Sequence, residues 1–134
     1  MKIIQHIALN CTNLKTMEHF YAKHFGFKRS RVFNEHTPDE FIMLRLGSTC
    51  IELFKAKTTS KDQSGGEQNI GFKHLAFEVP DIKAAVAALH ADGIKTDNIA
   101  DCSSIVKGLS VCFFKDPDGN QLELMQGYKD QFPQ

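Results

Sequence analysis

HIALNCTNL at residues 6–14 and HLAFEVPDI at residues 74–82 are two copies of one pattern, a histidine opening an apolar strand that runs into a capped helix. A second pair of stretches repeats with them, CIELF at residues 50–54 and QLELM at residues 121–125. Each half of the chain therefore supplies one imidazole and one carboxylate, His6 with Glu52 and His74 with Glu123. Two histidines and two acidic residues make a suitable donor set for a divalent transition metal.

Working outward, residues 3–11 read as a strand rich in branched side chains, and Thr12 or Asn13 offers a side-chain oxygen to cap the helix that follows. Leu14, Met17, Phe20, Tyr21 and Phe25 recur at helical spacing. Gly26 is the natural stop, because glycine enters the left-handed region without steric cost. Strands are then expected over FKRSRVF, FIMLRL and CIELFK, with the polar turn NEHTPDE and the pair Gly47-Ser48 between them. Residues 57–71 lack an apolar period and are crowded with Ser, Thr, Lys and Gly, as a connection is. The order then repeats. Residues 72–79 form a strand, Asp81 caps a helix striped by Ile82, Ala85, Val86 and Leu89, and Gly93 ends it. IKTDNI and LSVCFFK follow as short strands, then the DPDG turn and NQLELMQ. The reading is an α+β chain of two tandem βαβββ modules, whose curled mixed sheets pair to form a metal-binding cavity. Its parts are module one at 1–56, a linker at 57–71, module two at 72–127 and a tail at 128–134, all within one domain.

A chain of 134 residues that is 42% hydrophobic buries a sizeable core, roughly two-thirds of its extended surface. Sixteen basic residues balance sixteen acidic ones, so no net field draws in nucleic acid or an anionic membrane, and the expected partner is a small molecule. No apolar run reaches the length of a membrane span, and MKIIQHIALN leads into a strand rather than a signal peptide, which predicts a cytoplasmic protein. Cys11, Cys50, Cys102 and Cys112 form no CxxC pair and read as reduced packing residues.

Alternation along the strands shows where the donors point. Ile7 and Leu9 oppose His6, Ala8 and Asn10; Leu75, Phe77 and Val79 oppose His74, Ala76 and Glu78. Ile51 and Leu53 likewise oppose Glu52, and Leu122 and Leu124 oppose Glu123. All four donors thus lie off the helix-packing face. A single such His or Glu reads as an ordinary half-buried residue or as one paired with a surface Lys or Arg. Four in matching phase on matching strands of a duplicated unit favour the metal. His19, His24, His36 and His90 have no repeated partner and read as solvated or capping residues, with only His36 in a loop able to reach a site.

Three segments, HIALNCTNLKTMEHFYAKHFGFK, FKHLAFEVPDIKAAVAALHADGIK and VCFFKDPDGNQLELM, together resemble the vicinal oxygen chelate superfamily, which includes glyoxalase I, methylmalonyl-CoA epimerase, fosfomycin-resistance proteins and extradiol dioxygenases. The resemblance covers nearly the whole chain, and the order His, Glu, His, Glu is similar to that of glyoxalase I. It implies that His6, Glu52, His74 and Glu123 hold one divalent ion per site, nickel, zinc, cobalt or manganese, in a paired βαβββ fold that works as a homodimer with the site between modules of different chains. It also implies proton transfer beside a metal-chelated carbonyl, with Glu123 as the base and Glu52 as ligand or second base.

Substrate residues are less marked. Where glyoxalase I of the glutathione-using type has an arginine four residues after the first metal histidine this chain has Asn10, and where that enzyme has an asparagine four after the first metal glutamate it has Ala56. Without a bidentate guanidinium, a glutathione adduct would be held weakly. Asn10, Phe54, Arg45 and Lys107 are the substrate-binding candidates; Arg29, Arg31 and Lys73 are further cations, and Phe33, Phe41, Phe113 and Phe114 serve either a cavity or the core. Three other functions share the fold. An epimerase carries Gln at the position of Glu52, an Fe(II) ring-cleaving dioxygenase uses two His and one carboxylate and leaves that position open, and a metal-free drug-binding protein lacks the full donor set.

Overall fold

A computed structural model of the chain describes residues 1–58, 60 and 70–134. The chain divides into two compact units, Met1–Asp62 and Gln63–Gln134. Most of the connection expected over 57–71 lies outside the described residues.

The first unit runs β1 (His6–Cys11), α1 (Leu14–Phe25), β2 (Lys28–Phe33), β3 (Phe41–Leu46) and β4 (Thr49–Lys55). Its sheet has the order β1-β4-β3-β2, with β1 parallel to β4 and the other pairs antiparallel. Asn13 is the cap of α1, its side chain accepting the Thr16 N–H at 3.0 Å. Gly26 closes the helix at φ 78, its N–H donating to the Ala22 carbonyl. Met17, Phe20 and Tyr21 are buried on the helix face that meets β3 and β4, where Ile42, Leu44, Ile51 and Leu53 are buried too. Arg29 makes two hydrogen bonds to the Glu18 carboxylate, at 2.7 and 2.5 Å, clamping β2 to α1.

The second unit repeats the plan with β5 (Leu75–Glu78), α2 (Ile82–Ala91), β6 (Ala100–Asp101), β7 (Ser110–Lys115) and β8 (Gln121–Gln126), in the order β5-β8-β7-β6. Again the first strand is parallel to the last, and the remaining pairs are antiparallel. Asp81 caps α2 by accepting the Ala84 N–H at 3.0 Å. Ile82, Val86 and Leu89 are buried on the side of α2 that meets β7 and β8, whose Cys112, Phe114, Leu122 and Leu124 are also buried. Asp116, 5% exposed, accepts the backbone N–H groups of Asp118 and Asn120 and the Asn120 side-chain amide, which shapes the tight turn into β8.

Three strand expectations shift. Residues 3–5 do not join β1, because pairing with β4 begins at His6 opposite Cys50, where the turn at Gly47-Ser48 carries the partner away. Residues 72–74 precede β5 for the same reason, its pairing starting at Leu75 opposite Leu122. IKTDNI holds a single bridge, Thr96 to Phe114, and the strand forms at Ala100–Asp101 instead. None of the four cysteines is in a disulfide, and Cys11, Cys50 and Cys112 are buried. Among the described residues no helix is long and apolar enough to cross a membrane.

Candidate metal centre

The donor residues are placed by strand pairing. In the first unit, register puts Ala8 and Met43 beside Glu52 and sets His6 level with Cys50. Because paired residues share a face, His6, Ala8 and Asn10, Cys50, Glu52 and Phe54, and Phe41, Met43 and Arg45 all lie opposite the side that α1 covers. His6 Nε2 stands 3.3 Å from Glu52 Oε2, with the two side chains 44% and 15% exposed. In the second unit Glu123 is level with Ala76 and Phe113. His74 Nε2 lies 2.7 Å from Glu123 Oε2, the side chains being 26% and 11% exposed. The His74 ring also meets Phe113 edge to face, with centroids 5.4 Å apart.

Each unit thus brings one imidazole nitrogen and one carboxylate oxygen together on the sheet face away from its helix. Two donor atoms that are each about 2.1 Å from a common ion lie about 3.0 Å apart at a right angle and about 3.4 Å apart at a tetrahedral one. The observed 3.3 and 2.7 Å fit two ligands of one ion, the second pair after a small opening. Among the described residues, no group of three or more His, Cys, Asp or Glu gathers as a ready metal cage. Each unit therefore contributes one His–Glu pair.

The substrate candidates fall into distinct places. Asn10 and Arg45 are exposed on the same face as His6 and Glu52. Phe54 follows Glu52 by two residues and stacks on Phe41, which stacks on Phe33, both at 4.4 Å between centroids. The Arg31 guanidinium lies 5.7 Å from the Phe33 ring centre. Lys107 is exposed in the turn between β6 and β7. Two residues that the sequence left open are decided. Arg29 is not a free anion grip, because Glu18 holds it and raises its pKa above the ordinary value. Phe114 cannot line a site on the donor face, since it is buried level with Leu122 on the helix side. The remaining histidines lie elsewhere, His36 Nε2 being 3.6 Å from Glu35 Oε1 where both side chains are exposed. His19 is exposed, His24 packs on Phe20, His90 bonds Thr96 Oγ1 at 2.8 Å, and His36 is an exposed turn residue at φ 64.

Sequence reasoning missed Gln5. Its side-chain oxygen lies 2.5 Å from His6 Nδ1, and its side-chain nitrogen donates to Cys50 Sγ at 3.7 Å. The corresponding residue of the second half is Lys73, so a search for duplicated residues passes over this position.

The sequence profile described as the Glyoxalase/Bleomycin resistance protein/Dioxygenase superfamily matches residues 3–124. The chain is 34% identical to the uncharacterized protein YwkD of Bacillus subtilis (strain 168), over 94% of this chain and 98% of that one. It is 36% identical to the uncharacterized protein YaeR of Escherichia coli (strain K12), over 94% and 97%. The crystal structure of a glyoxalase family protein from Enterococcus faecalis is similar at a TM-score of 0.73 and 32% identity, covering 92% of this chain and 97% of that one.

Proposed function

The chain belongs to the glyoxalase/bleomycin resistance protein/dioxygenase superfamily, and on that premise we propose that it is a divalent-metal-dependent lyase or isomerase that transfers a proton beside a carbonyl. The observation that carries this reading is the repeated pair, His6 with Glu52 and His74 with Glu123, each at ligand spacing on the sheet face away from its helix. In this proposal the four residues hold one ion, nickel, zinc, cobalt or manganese. Such an ion draws electron density from a substrate carbonyl and so acidifies the adjacent C–H.

The chain's own groups then move the proton. Glu123 is the proposed base: its carboxylate accepts the carbon proton and returns it to the neighbouring carbon. Phe113, level with Glu123 on the same sheet face, limits the water that would compete for that proton. Glu52 serves as ligand or second base. Asn10, Arg45 and Phe54, on the face of the first pair, are proposed to touch substrate, and Lys107 to supply a cation from its exposed turn. With Asn10 and Ala56 in place of an arginine and an asparagine, a glutathione adduct is the weaker substrate choice. We also propose a homodimer as the working assembly.

The test combines metal analysis with solvent exchange. Protein loaded with each ion and offered 2-oxoaldehyde thiol adducts or acyl-CoA thioesters in deuterated water should bind one equivalent of metal per His, Glu, His, Glu set. It should also place deuterium on the carbon beside the carbonyl. Oxygen uptake with ferrous iron and no exchange would assign a dioxygenase instead, against the expectation that Glu52 fills the position dioxygen requires. Substrate binding without stoichiometric metal would assign a sequestering protein.

A further inference from the structure

We propose that Gln5 is a positioning residue for His6, its side-chain amide holding the imidazole as the Nδ1–H tautomer with Nε2 turned to Glu52. The functional half of this inference rests on the metal-dependent reading above. Gln5 Oε1 lies 2.5 Å from His6 Nδ1. A carboxamide oxygen only accepts, so the ring nitrogen donates, and in a neutral imidazole the proton on Nδ1 leaves the lone pair on Nε2. That nitrogen stands 3.3 Å from Glu52 Oε2, where the first half of the proposed ligand set meets.

The amide is itself held at both ends. The Gln5 carbonyl accepts the Cys50 N–H at 2.7 Å, which pins its backbone beside the start of β4. Its side-chain nitrogen donates to the Cys50 thiol, whose residue is fully buried. Sulfur can accept the NH2 end there, so the oxygen end is left for His6. Without this bridge little would orient the ring: the His6 side chain is 44% exposed, and terminal ring torsions are broad.

The second half solves the same problem differently. His74, 26% exposed, is wedged edge-on against Phe113 and bonds Glu123 at 2.7 Å. Lys73, in the place of Gln5, makes no hydrogen bond or ion pair among the described residues. One imidazole is thus oriented by packing and the other by an amide. An outer partner that fixes a ligating histidine's tautomer and orientation is worth about 10–100-fold in metal affinity.

Two measurements test the proposal. Long-range nitrogen–proton NMR of the metal-free protein, at a pH where imidazole is neutral, should show His6 as a single Nδ1–H tautomer. Gln5→Leu should show a mixture, and Gln5→Glu, which keeps an acceptor oxygen, should restore the single form. Zinc titration against a competing chelator should show affinity about 10–100-fold weaker in Gln5→Leu. Gln5→Glu should recover most of the affinity, and Lys73→Leu should match the parent. An unchanged tautomer in Gln5→Leu overturns the lock, and zinc affinity equal to the parent's overturns its role in ligation. If the parent protein binds no zinc while the tautomer shifts as expected, the metal-dependent reading fails and the Gln5 lock stands by itself.

Discussion

Glu52 and Glu123 occupy matching strands in unlike surroundings. Glu52 faces Met43 across the sheet beside a chain of stacked phenylalanines, whereas Glu123 sits level with Phe113 and is bonded by His74. Glu123→Gln keeps the shape and the hydrogen bond but removes the basic oxygen. Turnover should fall by about 10²–10⁴-fold, and the melting temperature should stay within about 3 °C of the parent, a difference of roughly 1 kcal/mol or less. Activity assays beside thermal melts decide it; a large fall in melting temperature would show that Glu123 is a structural residue instead. Gly127 is a second residue whose chemistry is set by its place. At φ 84, with the Gly108 carbonyl oxygen 2.3 Å from where a Cβ would stand, it lets β8 end against the turn before β7. Gly127→Ala should cost about 1–3 kcal/mol for the backbone alone and more for the clash, read by urea denaturation. The donor residues were legible in the sequence because strand side chains alternate with a period of two. Gln5 was not, since its role depends on Cys50, which only sheet pairing brings beside it.

At the scale of elements, the two helices begin and end on local chemistry. Asn13 and Asp81 each accept the N–H three residues on. Replacing either by alanine should lower stability by about 1 kcal/mol, measured from the denaturation midpoint, with the slope unchanged. If Asn13→Ala leaves the midpoint where it was, water replaces the cap without cost. Helix limits could be read from residues 13 and 26 because the bonds involved span only a few positions. The limits of β1 and β5 could not. The ends of β1 and β5 are set by where β4 and β8 begin to pair, and IKTDNI, rich in residues that fit strands poorly, keeps one bridge while pairing resumes at Ala100.

For the whole molecule, ligand removal and pH are the informative variables. If the proposed ion binds the folded chain alone, metal at a hundred times its dissociation constant adds about 2.7 kcal/mol. Chelation should then lower the melting temperature by on the order of 10 °C, and identical melts with and without chelator would argue against a resident metal. Alkali acts through Cys112. Burial pushes its thiol above the ordinary 9.0, against a lowering hydrogen bond from Thr96 and with a smaller push from Asp97. The folded chain therefore holds this proton more tightly than the unfolded one. The resulting stability is complete below about pH 9 and is lost as pH climbs from there through the raised value. Cys112→Ala should flatten that alkaline decline in a series of denaturation curves, whatever it costs in packing at neutral pH.

By itself the sequence determined the duplication, the βαβββ order, the helix limits and the face on which His6, Glu52, His74 and Glu123 lie, because periodicity and capping act over a few residues. The tertiary structure alone decided that Arg29 belongs to Glu18, that Phe114 is core while Phe113 meets His74, and that Gln5 bridges His6 and Cys50. Those partners are joined by strand register and by helix-on-sheet packing, which bring together positions that no local pattern links.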